Sequence, residues 1–356
     1  MNIFIAIMLF FAFIGFVDKI FHLKWKLSSV FDKGLLTMGS LTLSILGIYC
    51  ISMTFVQGHI KNLTVLNQYL FFDASLFVGA LLSPDMGGYP IVSEICQNSG
   101  LIIFYGVLLT SVLGQTISFQ LPVFLSFLET NEIDHLMKGF VFGIMMIPLG
   151  MLFSFPFLHI SFTIFIKNLL PVIIFCLSIA VFIMKCPQFT IKVLRWFANI
   201  IKALSYIFFL IVMIGLYFPS LQYVEESLVL EGLLMVLKMV IIVCGSMVLS
   251  ELVLKFGSQY IQKIADFLQV NKESVIGLIL NCASSLAMLP LYSKMDRKGK
   301  LLNAAFSVSG AYVFGGQLGF IAGVSAKSVT VYVIVKLMCG LLSIAFVHFV
   351  DKKISI

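Results

Sequence analysis

The sequence predicts an all-α polytopic membrane protein, and three observations carry that prediction. First, 60% of its 356 residues are hydrophobic and only 11% are charged, with a mean hydropathy of +1.10. So few polar groups cannot cover a soluble particle, so lipid must cover the outside. Second, uncharged runs recur at or above the roughly 18 residues that span a bilayer. Third, the segment from Gly34 (GLLTMGSLTLSILGI) aligns with the one from Gly232 (GLLMVLKMVIIVCGS), an offset of 198 residues. At that offset 73–82 (DASLFVGALL) falls on 271–280 (NKESVIGLIL). Duplication inside a membrane chain is a signature of secondary transporters, which bind substrate where the repeats meet.

Taken in order, full crossings are expected near 3–17, 34–56, 100–127, 138–157, 163–184, 203–219, 232–255, 300–325 and 328–350, about nine in all. The stretch 3–17 has no basic segment before it and no small-residue cleavage site after it, so it reads as a retained helix. Two shorter segments, near 75–93 and 273–292, are interrupted by proline, glycine and polar residues.

The charges decide what those two segments do. The basic clusters are Lys19/Lys24/Lys26/Lys33, Lys185/Lys192/Arg195/Lys202, Lys294/Arg297/Lys298/Lys300 and Lys352/Lys353. All are expected on the cytoplasmic side. If the broken segments were ordinary spans, the clusters at 185–202 and 294–300 would fall outside. If each enters and returns on one side, all four fall inside and the acidic loop Glu225, Glu226, Glu231 falls outside. The second arrangement is favoured. It divides the chain into a first repeat at 1–158, a linking helix and basic loop at 159–198, and an inverted second repeat at 199–356. The two re-entrant hairpins then face each other across a midplane cavity.

The net charge of +7 belongs to these clusters and does not point to nucleic acid. Seven cysteines without paired spacing and five scattered histidines suggest neither a disulfide frame nor a metal site. No nucleotide-binding motif and no nucleophile–base pair stands out, so neither a cofactor nor an enzyme is expected. A structural scaffold is the blandest alternative, but it gives no reason for a polar break in both halves.

The first hairpin reads LLSPDMGGYP (81–90). Pro84 ends a helix, Gly87 and Gly88 free the backbone, and Pro90 restarts it. Asp85 sits in the break beside Met86. A carboxylate at membrane depth costs about 2.5–3.5 kcal/mol even on the insertion scale, so it points to function unless the loop is exposed. The second hairpin reads NCASSLAMLP (281–290), where Ser284 and Ser285 either cap broken helix ends or donate to a solute. Each hairpin is followed by a glycine patch, Gly114-Gln115-Thr116 and Gly315-Gly316-Gln317. Packing explains the glycines, as it does two GxxxG motifs at 139–143 and 319–323; Gln115, Thr116 and Gln317 either line a pocket or bond between helices. Tyr89 and Tyr312 are candidates to stack on an amine. Lys336 lies centrally in an apolar run and needs a partner or water; Asp85 is a candidate charge partner.

On these residues the chain resembles the EutH ethanolamine-transporter family. The resemblance runs over nearly the whole length. It is most specific at Ser75–Glu94 with its Asp85-Met-Gly-Gly88 core, and at Gly114-Gln-Thr116. It continues at Ile147-Pro-Leu-Gly150, Met295-Asp-Arg-Lys-Gly-Lys300 and Gln317-Leu-Gly-Phe320. It implies uptake of ethanolamine across the bacterial cytoplasmic membrane, with substrate-binding residues Asp85, Met86, Gly87, Gly88, Gln115, Thr116, Ser284, Ser285 and Gln317. The expected partners are ethanolamine and the lipid bilayer, with homo-oligomerisation left open. Two departures stand out. Ser284-Ser285 replaces an Asn-Asn pair, and Gly316 stands where better-known members carry an acid.

Overall fold

Asp18, near the C-terminal end of the first helix, organises the first turn of the bundle. In the computed structural model, which describes residues 2–64 and 70–354, α1 (Ile3–Phe21) meets α2 (Leu27–Thr64) across a tight reversal. His22, Lys24 and Lys26 take left-handed backbone there. The buried Asp18 carboxylate accepts from the N–H groups of Trp25 (3.0 Å), Leu27 (2.8 Å) and Ser28 (2.8 Å). Those of Leu27 and Ser28 are orphan donors of the helix start, and a carboxylate is the group best suited to them.

The chain continues through α3 (Ser75–Leu81), α4 (Tyr89–Ile95), α5 (Ser99–Leu125), α6 (Thr130–Met151), α7 (Phe162–Lys185), α8 (Pro187–Tyr217) and α9 (Glu226–Phe256). It ends with α10 (Ser258–Leu268), α11 (Lys272–Ala283), α12 (Arg297–Ser307), α13 (Gly316–Val324) and α14 (Val329–Ile354). Among the described residues all regular structure is helical, and eight helices are long and apolar enough to cross a membrane. The short α10 packs Ile261, Ala265 and Leu268 inward and exposes Tyr260, Ile264 and Phe267, the pattern of a helix lying in a membrane interface.

The basic segments gather at one end of the bundle. Lys300 pairs with Glu132 at 3.2 Å, joining the starts of α12 and α6. Arg195 donates to the Leu125 carbonyl at 2.8 Å. Lys298 lies 3.1 Å from His348 on α14, whose ring stacks on Phe267 of α10. The side chains of Lys352 and Lys353 lie outside those described. The acidic loop sits at the other end, where Cys50, late in α2, meets the Leu228 carbonyl.

Two of the expected crossings are not plain helices. α5 is wound as a wide π-helix over Ile102–Gly114 and again over Thr116–Gln120. The run expected to cross continuously at 300–325 is broken between α12 and α13. The reason is mutual satisfaction of backbone groups. In the break, Tyr312 N–H donates to the Asn281 carbonyl and Phe314 N–H to the Cys282 carbonyl, each at 3.0 Å. These carbonyls lie at the interrupted end of α11, so two discontinuous stretches complete each other where neither could stand alone.

Each of the two short broken segments folds back so that its ends meet. Asp73 at the start of the first lies beside Cys96 at its exit, and its N–H donates to Asn168 Oδ1 near the start of α7 (3.0 Å). In the second, Asn271 donates to the Lys294 carbonyl (2.8 Å) and its N–H to Asp296 (3.0 Å), at the basic end. Residues 198 apart make matching contacts. Gly79 faces Tyr105, and Gly277 faces Asn303 beside Met295; Asp73 and Asn271 both cap a helix start, through Ser75 and through Ser274, one residue out of that register.

Candidate functional site

The breaks meet at a cavity of about 250 Å³. The first hairpin brings Asp85 there because the chain cannot stay helical through Leu82–Gly88. Leu82 turns to extended backbone, Pro84 follows, and Met86 and Gly87 leave helical geometry, with Gly87 at φ +89°. Any residue with a side chain would be strained at that φ. α4 then restarts with Pro90 in its first turn. The hairpin is pinned from behind: Ser83 N–H donates to Ser118 Oγ at 3.0 Å, and the Met86 and Gly88 N–H groups both donate to the Ser83 carbonyl. Ser83 Oγ in turn donates to Asp85 Oδ1. Among the described residues the carboxylate accepts from the Ser83 side chain and from its own N–H, and it lines the cavity with its remaining acceptor capacity.

Close approach of this hairpin to α5 depends on Gly114. A Cβ there would overlap the backbone carbonyls of Leu82 and Gly79. On the second side, Ser284 and Leu286 from the interrupted end of α11 join Tyr312, Gly316 and Gln317. Tyr312 is held in left-handed backbone (φ 59°) by its bond to Asn281, by Tyr332 Oη donating to its carbonyl (3.0 Å), and by Ser285 Oγ donating to its hydroxyl (2.6 Å). A non-glycine residue in that region is costly, and such strain clusters at ligand sites. Phe119 lies edge-on to the Tyr312 ring, centroids 6.3 Å apart. α9 contributes Met239 and Val243, and α2 a row of Thr37, Ser40 and Ser44.

Of the residues read from the sequence, Asp85, Met86, Gln115, Ser284 and Gln317 line the cavity. Four others stand behind its wall. Gly87 and Gly88 shape the hairpin, Ser285 holds Tyr312, and Thr116 Oγ1 donates to the carbonyls of Val112 (2.7 Å) and Val308 (2.8 Å). Lys336 is fully buried. Its ammonium donates to the Ser111 carbonyl (2.8 Å), Gln317 Oε1 (2.5 Å) and Gln115 Oε1 (3.4 Å). It acts on Asp85 through space rather than as a contact ion pair. An ammonium has no acceptor, so both glutamines must present oxygen to it, which turns their amino groups away. Among the described residues the buried Gln317 Nε2 has no hydrogen-bond partner.

Sequence reading missed Ser83 and the α2 hydroxyl row. A signal existed for each. Ser83 directly precedes the helix-breaking proline, and Thr37, Ser40 and Ser44 recur at three- and four-residue spacing on one helical face. Gly316 has its nearest side-chain atoms, from Met239 and Val243, 3.7 Å from where a Cβ would stand. The position has room for a side chain at the cavity wall.

The chain matches the family described as Ethanolamine utilisation protein, EutH, over residues 1–350. It is 30% identical to the protein named Probable ethanolamine permease EutH of Listeria monocytogenes, over 97% of this chain and 92% of that relative. Identity to the protein of the same name from Salmonella typhimurium is 25%, covering 96% and 93% of the two chains. A protein of Bacillus subtilis named Uncharacterized protein YxeR is 27% identical, covering 93% and 90%. No solved structure matches the chain. With its eight apolar helices, it is a multi-pass protein of the bacterial cytoplasmic membrane. Matched from end to end in this way, the chain belongs to the EutH family.

Proposed function

We propose that this chain carries ethanolamine across the cytoplasmic membrane, binding it in the cavity between the two breaks. The observation that carries the reading is the pairing, in one small cavity, of the Asp85 carboxylate at a helix break with polar side chains from the second break, Ser284 and Gln317. Asp85 suits an ammonium group. Ser284, on the second side, offers a hydroxyl to the oxygen end. A two-carbon amino alcohol presents both ends. Relatives named as probable ethanolamine permeases support the same cargo.

The hairpin pair supports an inverted repeat, with 1–158 and 199–356 as its halves and 159–198 linking them. Matched contacts 198 residues apart are what such a repeat requires. The site then sits between two structurally related units that can expose it to either side in turn. The decisive experiment is uptake of labelled ethanolamine by proteoliposomes of purified protein. Saturable uptake, competed by unlabelled ethanolamine, is expected. A rate equal to that of empty liposomes removes the reading.

A second reading keeps the fold and changes the cargo to another small amine or a neutral polar solute. Gly316 motivates it, because Lys336 lies near Asp85 and, among the described residues, the second half lines the cavity with no acid. Gly316→Asp is accommodated in the open wall and adds a carboxylate to the cavity. For a cationic substrate, apparent affinity should rise by about tenfold, the worth of one charge-assisted hydrogen bond. Competition by ethylammonium against a neutral diol, measured in both proteins, reads the change. An unchanged preference would mean the amine does not bind as a cation at this wall.

A further inference from the structure

Lys336 occupies a seat built for a cation. Three oxygens surround its ammonium, the Ser111 carbonyl and the side-chain oxygens of Gln317 and Gln115, and the ring of Tyr332 covers it at 5.5 Å. Three donors meet three acceptors, so the group is satisfied without a carboxylate in contact. The wide winding of α5 supplies the first of them. Gln115 N–H donates to the Thr110 and Val112 carbonyls, and the Ser111 carbonyl between them accepts from the lysine. Carbonyl and amide oxygens freed at helix irregularities are the ligands with which transporters of discontinuous helices hold a coupling Na⁺ or H⁺. The seat spans both halves: Ser111 and Gln115 come from α5, Gln317 from α13 and the lysine from α14. Gln115 and Gln317 are at the same time walls of the substrate cavity.

We propose that the Lys336 ammonium stands in the place of a coupling cation, so that the protein carries its cation covalently and moves substrate without sodium or potassium. A tethered charge cannot travel with the substrate. It holds the oxygens of the two glutamines in orientation and lies near Asp85, and no alkali ion need bind for the cavity to be complete. The coupling part of this inference rests on the transport reading; the existence of the seat does not.

Two measurements test it. In proteoliposomes, wild-type ethanolamine uptake should change by less than about twofold when Na⁺ and K⁺ are replaced by N-methylglucamine, since losing a true coupling ion removes far more. A requirement for either ion overturns the inference. Lys336→Ala vacates the seat and leaves its oxygens unpaired. Equilibrium binding of ²²Na⁺ and ⁸⁶Rb⁺ to detergent-purified protein should then appear in Lys336→Ala and be absent from wild type, while Lys336→Met, which fills the space with an apolar chain, should bind neither. Binding by wild type, or none by a folded Lys336→Ala, overturns the seat. If Lys336→Ala does not fold, the ion-replacement arm on wild type decides alone. If wild type takes up no ethanolamine, the transport reading fails by itself, and ion binding still decides the seat.

Discussion

Replacing Asp85 with asparagine is expected to abolish high-affinity uptake while leaving the protein folded. Asparagine keeps the shape of the side chain and an oxygen to accept from Ser83, so the hairpin has no reason to rearrange. What it loses is the negative charge. A hydrogen bond to a charged group is worth about 1.5–3 kcal/mol, so apparent affinity should fall by about ten- to a hundredfold or more. The fully buried Lys336 ammonium adds to the loss, because it would then face the substrate cation with no acid to balance it. Michaelis–Menten analysis of uptake, with thermal melting in detergent as the fold control, measures both parts. Unaltered KM in a well-folded Asp85→Asn protein would remove Asp85 from substrate binding.

Gly114→Val has a comparably large effect by another route. The added carbon atoms fall on the carbonyl oxygens of Leu82 and Gly79, which are backbone and have no flexible end to swing aside. Overpacking a tight site typically costs about 1–3 kcal/mol and shifts the backbone. The first hairpin must move away from α5, and the Ser83–Ser118 bond that locates the break is the first contact to open. Uptake should fall by tenfold or more with a lowered melting temperature, whereas Asp85→Asn lowers affinity alone. The pair therefore separates loss of the charge from loss of its position. Wild-type uptake by Gly114→Val would mean that the hairpin does not need this close approach.

Much of the architecture was legible in the residues because a bilayer imposes simple rules. Length and hydropathy locate crossings, and lysine and arginine orient them. Proline and glycine at membrane depth mark breaks, as at Pro84, Gly87 and Pro90. The break in the 300–325 run was not legible. Val308–Gly315 is apolar enough to be helical, and it opens because Tyr312 and Phe314 find the Asn281 and Cys282 carbonyls across the bundle. The π-helical winding of α5 is likewise invisible to a hydropathy pattern, since it changes which carbonyl each N–H reaches and not which residues are apolar.

The site divides in the same way. Composition and spacing pointed to a membrane bundle with two polar interruptions, to Asp85 inside one of them and to Lys336 centrally in an apolar run, because burial of charge is costly wherever the chain runs. Which groups those charges meet depends on residues up to 225 positions away, as for Lys336 and Ser111. Only the folded arrangement turned Lys336 toward three oxygens instead of the carboxylate, moved Thr116 and Ser285 behind the wall, and brought Ser83 and the α2 hydroxyls into the cavity. Hydrogen bonds are short and directional, and local sequence does not encode the distances across a bundle that they require.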